Sequence, residues 1–148
     1  MRNNKRNIQK NVTIRPKALS KKVTASASKS MMKRAVALGI LSEGKTTIFN
    51  PSFASDSLSA LRIAGSLGAT LQFTFNKIAL ERNDDVTESF LSFGESGLGL
   101  RMLTPIAALF NRTFTIDGHG SLVTRPTSSL VEALLQGGVK ANDSNGIL

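Results

Sequence analysis

Cysteine, tryptophan and tyrosine are absent from the 148 residues of the sequence, and histidine occurs once. Without cysteine the chain cannot form disulfides, thiolate nucleophiles or cysteine-based zinc sites, and we expect a reducing, cytoplasmic compartment. The single histidine, His119, cannot build a histidine-cluster metal site, so we expect no metal ion. It lies in residues 117–120, a glycine-rich stretch that is typical of a turn rather than of a catalytic base.

Long apolar runs are also missing. The longest one, residues 35–41, is far too short to cross a bilayer, so we expect no membrane partner. The length of 148 residues suits one domain of ordinary size. The dinucleotide-binding pattern G-x-G-x-x-G does not occur, which argues against a Rossmann-type nucleotide site.

Acidic residues are absent from residues 1–34, which contain eleven of the 19 lysines and arginines. The remaining residues hold the other eight and all ten acidic residues, so the net charge of +9 belongs to the N-terminal segment. Residues 1–10 lack periodicity and predict a basic mobile tail. Such a segment can bind nucleic acid or anionic lipid, and it is also typical of a transit peptide. Single strands are bound by stacking on aromatic side chains, but tyrosine and tryptophan are absent and the phenylalanines lie in alternating patterns typical of a core, which disfavours nucleic acid.

The apolar pattern predicts an α/β (α+β) chain in which helix–strand–helix–strand units occur twice, which indicates an internal repeat. The first helix is capped by Ser28 or Ser30, whose hydroxyl accepts a hydrogen bond from the first helical turn. We predict four helices: the first over 30–42, the second from Ser55 or Asp56 to 67, the third through 102–109 and the fourth from Arg125 and Pro126 onwards. In the third helix, Pro105 is expected near the first turn. We predict strands at 12–14, 22–25, 46–49, 71–75, 77–80, 112–116 and 139–141.

Three of the four predicted helices begin with basic residues, although a helix N-terminus carries partial positive charge and favours Asp or Glu. A bound anion would reverse this unfavourable arrangement, because N–H groups, helix dipole and side chains would converge on it. Arginine adds planar, bidentate recognition of carboxylate and phosphate. If the three starts face one cleft, they form a pocket for a polyanionic small molecule; otherwise they are independent solvated charges. The basic residues concerned are Lys29, Arg34, Arg101 and Arg125.

Three motifs, in this order, carry a family resemblance. Residues 28–35, S-K-S-M-M-K-R-A, resemble the opening substrate loop S-K-S-x-x-x-R-A of the 5-enolpyruvylshikimate-3-phosphate (EPSP) synthases. Residues 94–101 resemble the second signature, N-A-G-T-A-x-R, but Glu95 and Leu98 replace its Asn and Thr. Residues 117–134 resemble the third, in which Arg-Pro precedes an apolar helix. The sister family, UDP-N-acetylglucosamine enolpyruvyl transferase, usually has A-K-N in the first motif and a cysteine, which this chain lacks.

The resemblance implies transfer of the enolpyruvyl group from phosphoenolpyruvate to shikimate 3-phosphate, without a cofactor, on the route to chorismate and the aromatic amino acids. It implies that Lys29 contacts both substrates, that Ser30 and Arg34 hold shikimate 3-phosphate, and that Gly97, Arg101 and Arg125 line the phosphoenolpyruvate side.

The resemblance also implies the inside-out barrel of the enolpyruvyl transferases. Residues 11–148 would form a partial N-terminal domain with about two of its six repeated units. The acid–base carboxylates of the family lie in the part that this chain does not contain, so no catalytic residue is assigned and the remainder of the enzyme is the expected partner. Two alternatives stay open: a basic nucleic-acid-binding module that uses the N-terminal segment, and a non-catalytic anion-binding protein that keeps only the substrate loops.

Overall fold

The computed structural model describes residues 12–18, 21–83 and 85–143, and these residues form a mixed α/β fold, as predicted. The predicted tail, residues 1–10, lies outside the described residues. The elements, in chain order, are α1 (Lys29–Leu41), β1 (Lys45–Phe49), α2 (Ser55–Ser66), β2 (Ala69–Thr74), β3 (Lys77–Arg82), β4 (Phe90–Ser92), α3 (Gly97–Ala107), β5 (Thr115–Asp117), a short 3-10 helix (Gly120–Leu122) and α4 (Ser128–Gln136).

Helix α1 forms where apolar side chains recur every three to four residues, and its buried face contains Met32, Val36 and Ile40. The hydroxyl of Ser28 caps the helix by accepting a hydrogen bond from the backbone N–H of Met31 at 3.3 Å. The helix lies within one residue of the predicted bounds at each end. The periodicity and the serine cap therefore fix this element locally.

Two small sheets lie beside the helices. The predicted hairpin of β2 and β3 forms, and β1 pairs with the free edge of β3, which gives an antiparallel sheet in the order β1–β3–β2. Strands β4 and β5 pair in parallel, with Leu91 opposite Ile116. The buried side chains of both sheets and of the four helices belong to one core, so α1 and α3 are held by the same packed cluster.

None of the helices in the described part of the chain has the length and apolar character that crossing a membrane requires.

Three predicted strands do not form in the described residues. Residues 12–14, 22–25 and 139–141 are irregular, and the first two segments are exposed to solvent. A strand requires a partner for its backbone N–H and C=O groups, and β-branched residues alone do not provide one. The strand predicted at 112–116 is shorter and lies later, at β5.

Helices α2 and α3 begin at other residues than predicted. Helix α2 follows Ala54, which provides no side-chain cap, so Ser55 and Asp56 lie in its first turn. Helix α3 begins earlier than predicted because Ser96 caps it, and Pro105 consequently lies near its C-terminal end rather than in its first turn. Proline has no backbone N–H, so the carbonyl oxygen of Arg101 lacks the helical hydrogen bond that residue 105 would otherwise donate.

The basic residues expected at helix starts do not all lie there. Lys29 is the first residue of α1, but Arg34 lies in the second turn of α1 and Arg101 in the second turn of α3. Helix α4 begins at Ser128, so Arg125 lies in the turn that precedes it. The sequence prediction missed this turn because it did not include the 3-10 helix, which separates β5 from α4.

Candidate functional site

A cavity of about 740 Å³ opens between the N-terminal ends of α1, α2 and α3 and the turn that contains the 3-10 helix. Its walls are mostly polar and charged. The first half of the lining comes from α1 and α2: Lys29, Ser30, Lys33, Ser55, Asp56, Ser59 and Arg62. The second half comes from the residues around β4, α3 and the 3-10 helix: Ser92, Gly94, Glu95, Gly97, Leu98, His119, Ser121 and Arg125.

Lys33 is the most buried charged residue of this cavity, with 2% of its surface exposed. Its ammonium group donates to Asp56 Oδ2 at 3.0 Å and to Ser96 Oγ at 3.1 Å. A lysine is almost never buried unless its charge is paired, and here the carboxylate and the hydroxyl provide the partners. The ammonium group thus joins α1 to the first turn of α2 and to the N-cap of α3.

Asp56 lies between two lysines. Its Oδ2 is 3.0 Å from Lys33 Nζ and 3.6 Å from Lys29 Nζ. The hydrogen bond from Lys33 holds the pKa of the Asp56 carboxyl below its ordinary value, against the opposing effect of burial, and the charges of Lys33 and Lys29 lower it further. Asp56 is therefore an ionised internal counterion at the rim of the cavity.

The wall around α3 brings two guanidinium groups close to a glycine. A side chain at Gly97 would place its Cβ 2.5 Å from Nη1 of Arg125 and 3.5 Å from Nη1 of Arg101. The absence of a side chain at this position therefore lets the arginines approach the backbone at the start of α3. Ser96 accepts a hydrogen bond from the N–H of Gly99 at 3.1 Å, which fixes the helix start against which they lie.

Arg101 and Arg125 are both exposed but are held by neutral groups. Arg101 donates to the carbonyl oxygens of Gly97 at 3.3 Å and Pro126 at 3.1 Å. Arg125 donates to the hydroxyl of Ser121 at 3.2 Å and lines the cavity, which Arg101 does not. The positive charge of Arg125 is thus directed at the cavity by a hydroxyl rather than by a carboxylate.

Glu95 stabilises the turn that carries Arg125. Its Oε2 accepts a hydrogen bond from the backbone N–H of Ser121 at 3.1 Å. This bond lowers the pKa of the Glu95 carboxyl, and the Ser121 side chain and the charges of His119 and Arg125 act in the same direction. The cavity thus contains a second carboxylate, on the wall opposite to Asp56.

The structure brings together four of the six residues singled out from the sequence: Lys29, Ser30, Gly97 and Arg125 line the same cavity. Arg34 is exposed on α1 and Arg101 is exposed on α3, and neither is part of the cavity lining. His119 does lie at the cavity, beside the short 3-10 helix.

Lys33 was not among the binding residues predicted from the sequence, and Asp56 was considered only, with Ser55, as the start of a helix. A signal for Lys33 was available, because it is spaced three to four residues from Val36, Ala37 and Lys29 and so belongs to the inner face of α1. No comparable signal existed for Asp56, because its contact with Lys33 joins residues 23 positions apart in the chain.

The arrangement suits a multiply charged, hydrogen-bonding anion. Lys29, Arg62 and Arg125 supply positive charge to the lining, and the N-terminal ends of α1 and α3 add the positive ends of their helix dipoles. The two carboxylates of the cavity would repel an anion that approached them directly, so a ligand is expected to present hydroxyl groups on those sides.

The chain matches a known protein family. The family model described as EPSP synthase (3-phosphoshikimate 1-carboxyvinyltransferase) matches residues 14–148. The 3-phosphoshikimate 1-carboxyvinyltransferase of Methanobrevibacter smithii is 34% identical in an alignment of 128 residues that covers 84% of this chain and 29% of that protein. The enzyme of the same name from Clostridium beijerinckii is 30% identical in an alignment of 147 residues that covers 93% of this chain and 34% of that protein. The chain therefore spans about a third of the length of these relatives.

A solved structure of EPSP synthase from Acinetobacter baumannii has a similar fold, with a TM-score of 0.74 and 20% sequence identity. The match covers 85% of this chain and 30% of that one. It shows that the arrangement of helices and sheets described above resembles part of a known fold.

Proposed function

The chain belongs to the EPSP synthase family, and from this premise we propose that it supplies the loops that bind the substrate anions in the transfer of an enolpyruvyl group from phosphoenolpyruvate to shikimate 3-phosphate. The observation that carries the proposal is the cavity, whose lining contains Lys29 and Ser30 from α1 together with Gly97 and Arg125. Both substrates carry phosphate and carboxylate groups, and cationic side chains bind these groups through charge-assisted hydrogen bonds.

We assign the two substrates to different parts of the cavity lining, with Lys29 contacting both. Lys29 extends from the first turn of α1 with a side chain that is 60% exposed, so it can reach both ligands. Ser30 is part of the same turn and is assigned to shikimate 3-phosphate. Gly97 and Arg125 are assigned to phosphoenolpyruvate, because the guanidinium group lies against the start of α3, where the helix dipole also favours an anion.

Arg34 and Arg101 are assigned to the same ligands from the family motifs, although neither lines the cavity. Arg101 supports the phosphoenolpyruvate side by holding the carbonyl oxygens of Gly97 and Pro126, the residues next to which Arg125 lies. Arg34 would have to reach shikimate 3-phosphate from the exposed side of α1.

The proton transfers of the reaction are assigned to parts of the family enzymes that this chain does not span. General acid–base catalysis needs groups within hydrogen-bond reach of both substrates, with pKa values suited to the task. Asp56 and Glu95 are each engaged by protein donors that lower the pKa. The remainder of a family enzyme is therefore the proposed partner, and the 148 residues alone are expected to bind the anions without turnover.

The test is calorimetric titration of the chain with shikimate 3-phosphate and with phosphoenolpyruvate. We expect Lys29→Ala to weaken both ligands, and Arg125→Ala to weaken phosphoenolpyruvate more than shikimate 3-phosphate, each by about 1.5–3 kcal/mol, the value of a hydrogen bond to a charged group. Lys77→Ala is the matched control, because Lys77 is an exposed lysine on β3 outside the cavity. If neither ligand binds, or if all three variants behave alike, the proposal is wrong.

A chain that lacks residues 1–10 separates this proposal from binding by the basic N-terminal segment. We expect the truncated chain to keep its affinity for both ligands, since the cavity lining begins at Lys29. Loss of all anion affinity on truncation would favour the segment instead.

A further inference from the structure

A buried lysine at the base of the cavity has no role in the proposed binding of ligands. Only 2% of the surface of Lys33 is exposed, so a ligand in the cavity has little access to its ammonium group. Its two hydrogen bonds go instead to protein groups, Asp56 and Ser96, which belong to two other helices. A charged group in this environment is stabilised by those partners rather than by solvent.

The ammonium groups of Lys33 and Lys29 lie at different distances from the Asp56 carboxylate. Lys33 Nζ lies 3.0 Å from Asp56 Oδ2 and forms a hydrogen bond, whereas Lys29 Nζ lies 3.6 Å away. The side chain of Lys29 is 60% exposed, compared with 2% for Lys33. The carboxylate is therefore held mainly by the buried lysine, and the exposed lysine keeps most of its hydrogen-bonding capacity for another anion.

We propose that Lys33 is a positioning residue: it holds Asp56 and the Ser96 cap so that Lys29 remains available to the anionic ligand of the cavity. The inference rests on the proposed function, because it concerns the same binding site. Without the ammonium group of Lys33, Asp56 would pair with Lys29, and the ligand would have to displace a carboxylate of the protein. The bond to Ser96 also links the position of Asp56 to the start of α3, where Arg125 lies.

The experiment removes the charge of Lys33 and then removes its partner. We expect Lys33→Met to weaken binding of phosphoenolpyruvate and shikimate 3-phosphate about tenfold, a change of about 1.4 kcal/mol. The double variant Lys33→Met/Asp56→Asn also removes the competing carboxylate. It should recover most of the affinity, because no carboxylate of the protein then pairs with Lys29. If Lys33 instead contacted the ligand directly, Asp56→Asn would not restore that contact. Failure of the double variant to recover affinity would therefore overturn the inference.

Two controls separate this effect from net charge and from damage to the fold. Lys33→Met/Glu132→Gln has the same net charge as the rescuing variant, but Glu132 is exposed on α4 outside the cavity, so we expect no recovery. Recovery there would overturn the inference in favour of a general electrostatic effect. If Lys33→Met does not fold, Lys33→Gln replaces it in the single and double variants, because glutamine is also neutral but is polar like the partners of this position. Weaker binding in the single variant and recovery with Asp56→Asn are again expected, and unchanged affinity in Lys33→Gln would contradict the inference.

Failure of the proposed function is distinguishable from failure of this inference. If the parent chain binds neither ligand, the proposed function itself fails. If the parent binds both and Lys33→Met binds them equally well, the proposed function stands and the positioning role of Lys33 is wrong.

Discussion

The part of the cavity lining that comes from α1 and α2 (the α1 wall) and the part around α3 (the α3 wall) differ in the partners of their basic residues. On the α1 wall, Lys33 is buried and neutralised by a carboxylate of the protein, Asp56, at 3.0 Å. On the α3 wall, Arg125 is exposed and held by the hydroxyl of Ser121, while the nearby carboxylate of Glu95 is occupied by a backbone N–H. The basic residues of the cavity are therefore of two kinds: a lysine that a carboxylate of the protein neutralises in the interior, and an arginine that stays exposed at the cavity.

This difference concerns energy as well as geometry. A buried charge that loses its partner remains desolvated, whereas an exposed charge regains water. Substitution of Asp56, the partner of the buried Lys33, should therefore act mainly on the stability of the fold. Substitution of the exposed Arg125 should act mainly on the affinity for anions.

The largest effect is expected for Asp56→Ala. This change leaves the ammonium group of Lys33 buried with only the hydroxyl of Ser96 nearby, so we expect a loss of about 3–5 kcal/mol in the free energy of unfolding. Lys33→Met should cost less, because the carboxylate it leaves behind is 20% exposed and still lies near Lys29. Urea denaturation measures both, and a loss for Asp56→Ala no greater than for Lys33→Met would contradict the burial argument.

Glu95→Ala is the corresponding change on the α3 wall. Because the Glu95 carboxylate lies at the surface, its removal should change the urea midpoint little compared with Asp56→Ala. A comparable loss from both substitutions would show that the two walls do not differ in the way described.

The second effect compares the two serine caps. Ser96 is 1% exposed, caps α3 and also accepts from Lys33, so Ser96→Ala should destabilise the fold by about 1–2 kcal/mol. Ser28 caps α1 from an exposed position at 3.3 Å, and Ser28→Ala should cost about 0.5 kcal/mol, at the low end for caps. Thermal or urea unfolding of both variants tests the order. Equal costs would mean that burial and the contact with Lys33 add nothing to the cap at Ser96.

The elements that could be predicted from sequence are those whose signals are local. The first helix carries its own periodicity and its own cap, and the hairpin of β2 and β3 carries an alternating pattern and a two-residue turn. Strands β4 and β5 have three residues each, and their parallel pairing joins Leu91 to Ile116 across the whole of α3. A segment that short has no periodicity of its own, so β4 could not be recognised before its partner was known.

The same distinction applies to the candidate site. Lys29, Ser30, Gly97 and Arg125 were predicted because motifs place them at helix starts or turns, and all four line the cavity. The network behind them could not be predicted, since Lys33 meets Asp56 and Ser96 across 23 and 63 positions of the chain. Those contacts exist only once the core has packed the three helices together.

The smallest effect concerns Glu95 and sharpens the contrast between the walls. Glutamine at this position keeps an oxygen that can accept the hydrogen bond from the Ser121 backbone, so Glu95→Gln should leave the turn that carries Arg125 in place. It removes a negative charge from the cavity, which an anion would otherwise have to approach. We therefore expect a small increase in the affinity for phosphoenolpyruvate, measured by titration calorimetry at low ionic strength. The increase should shrink at high salt, because interactions between exposed charges are screened. Weaker binding would mean that the charge of Glu95 is needed to hold Ser121 and Arg125, and that the α3 wall, like the α1 wall, depends on a carboxylate of the protein.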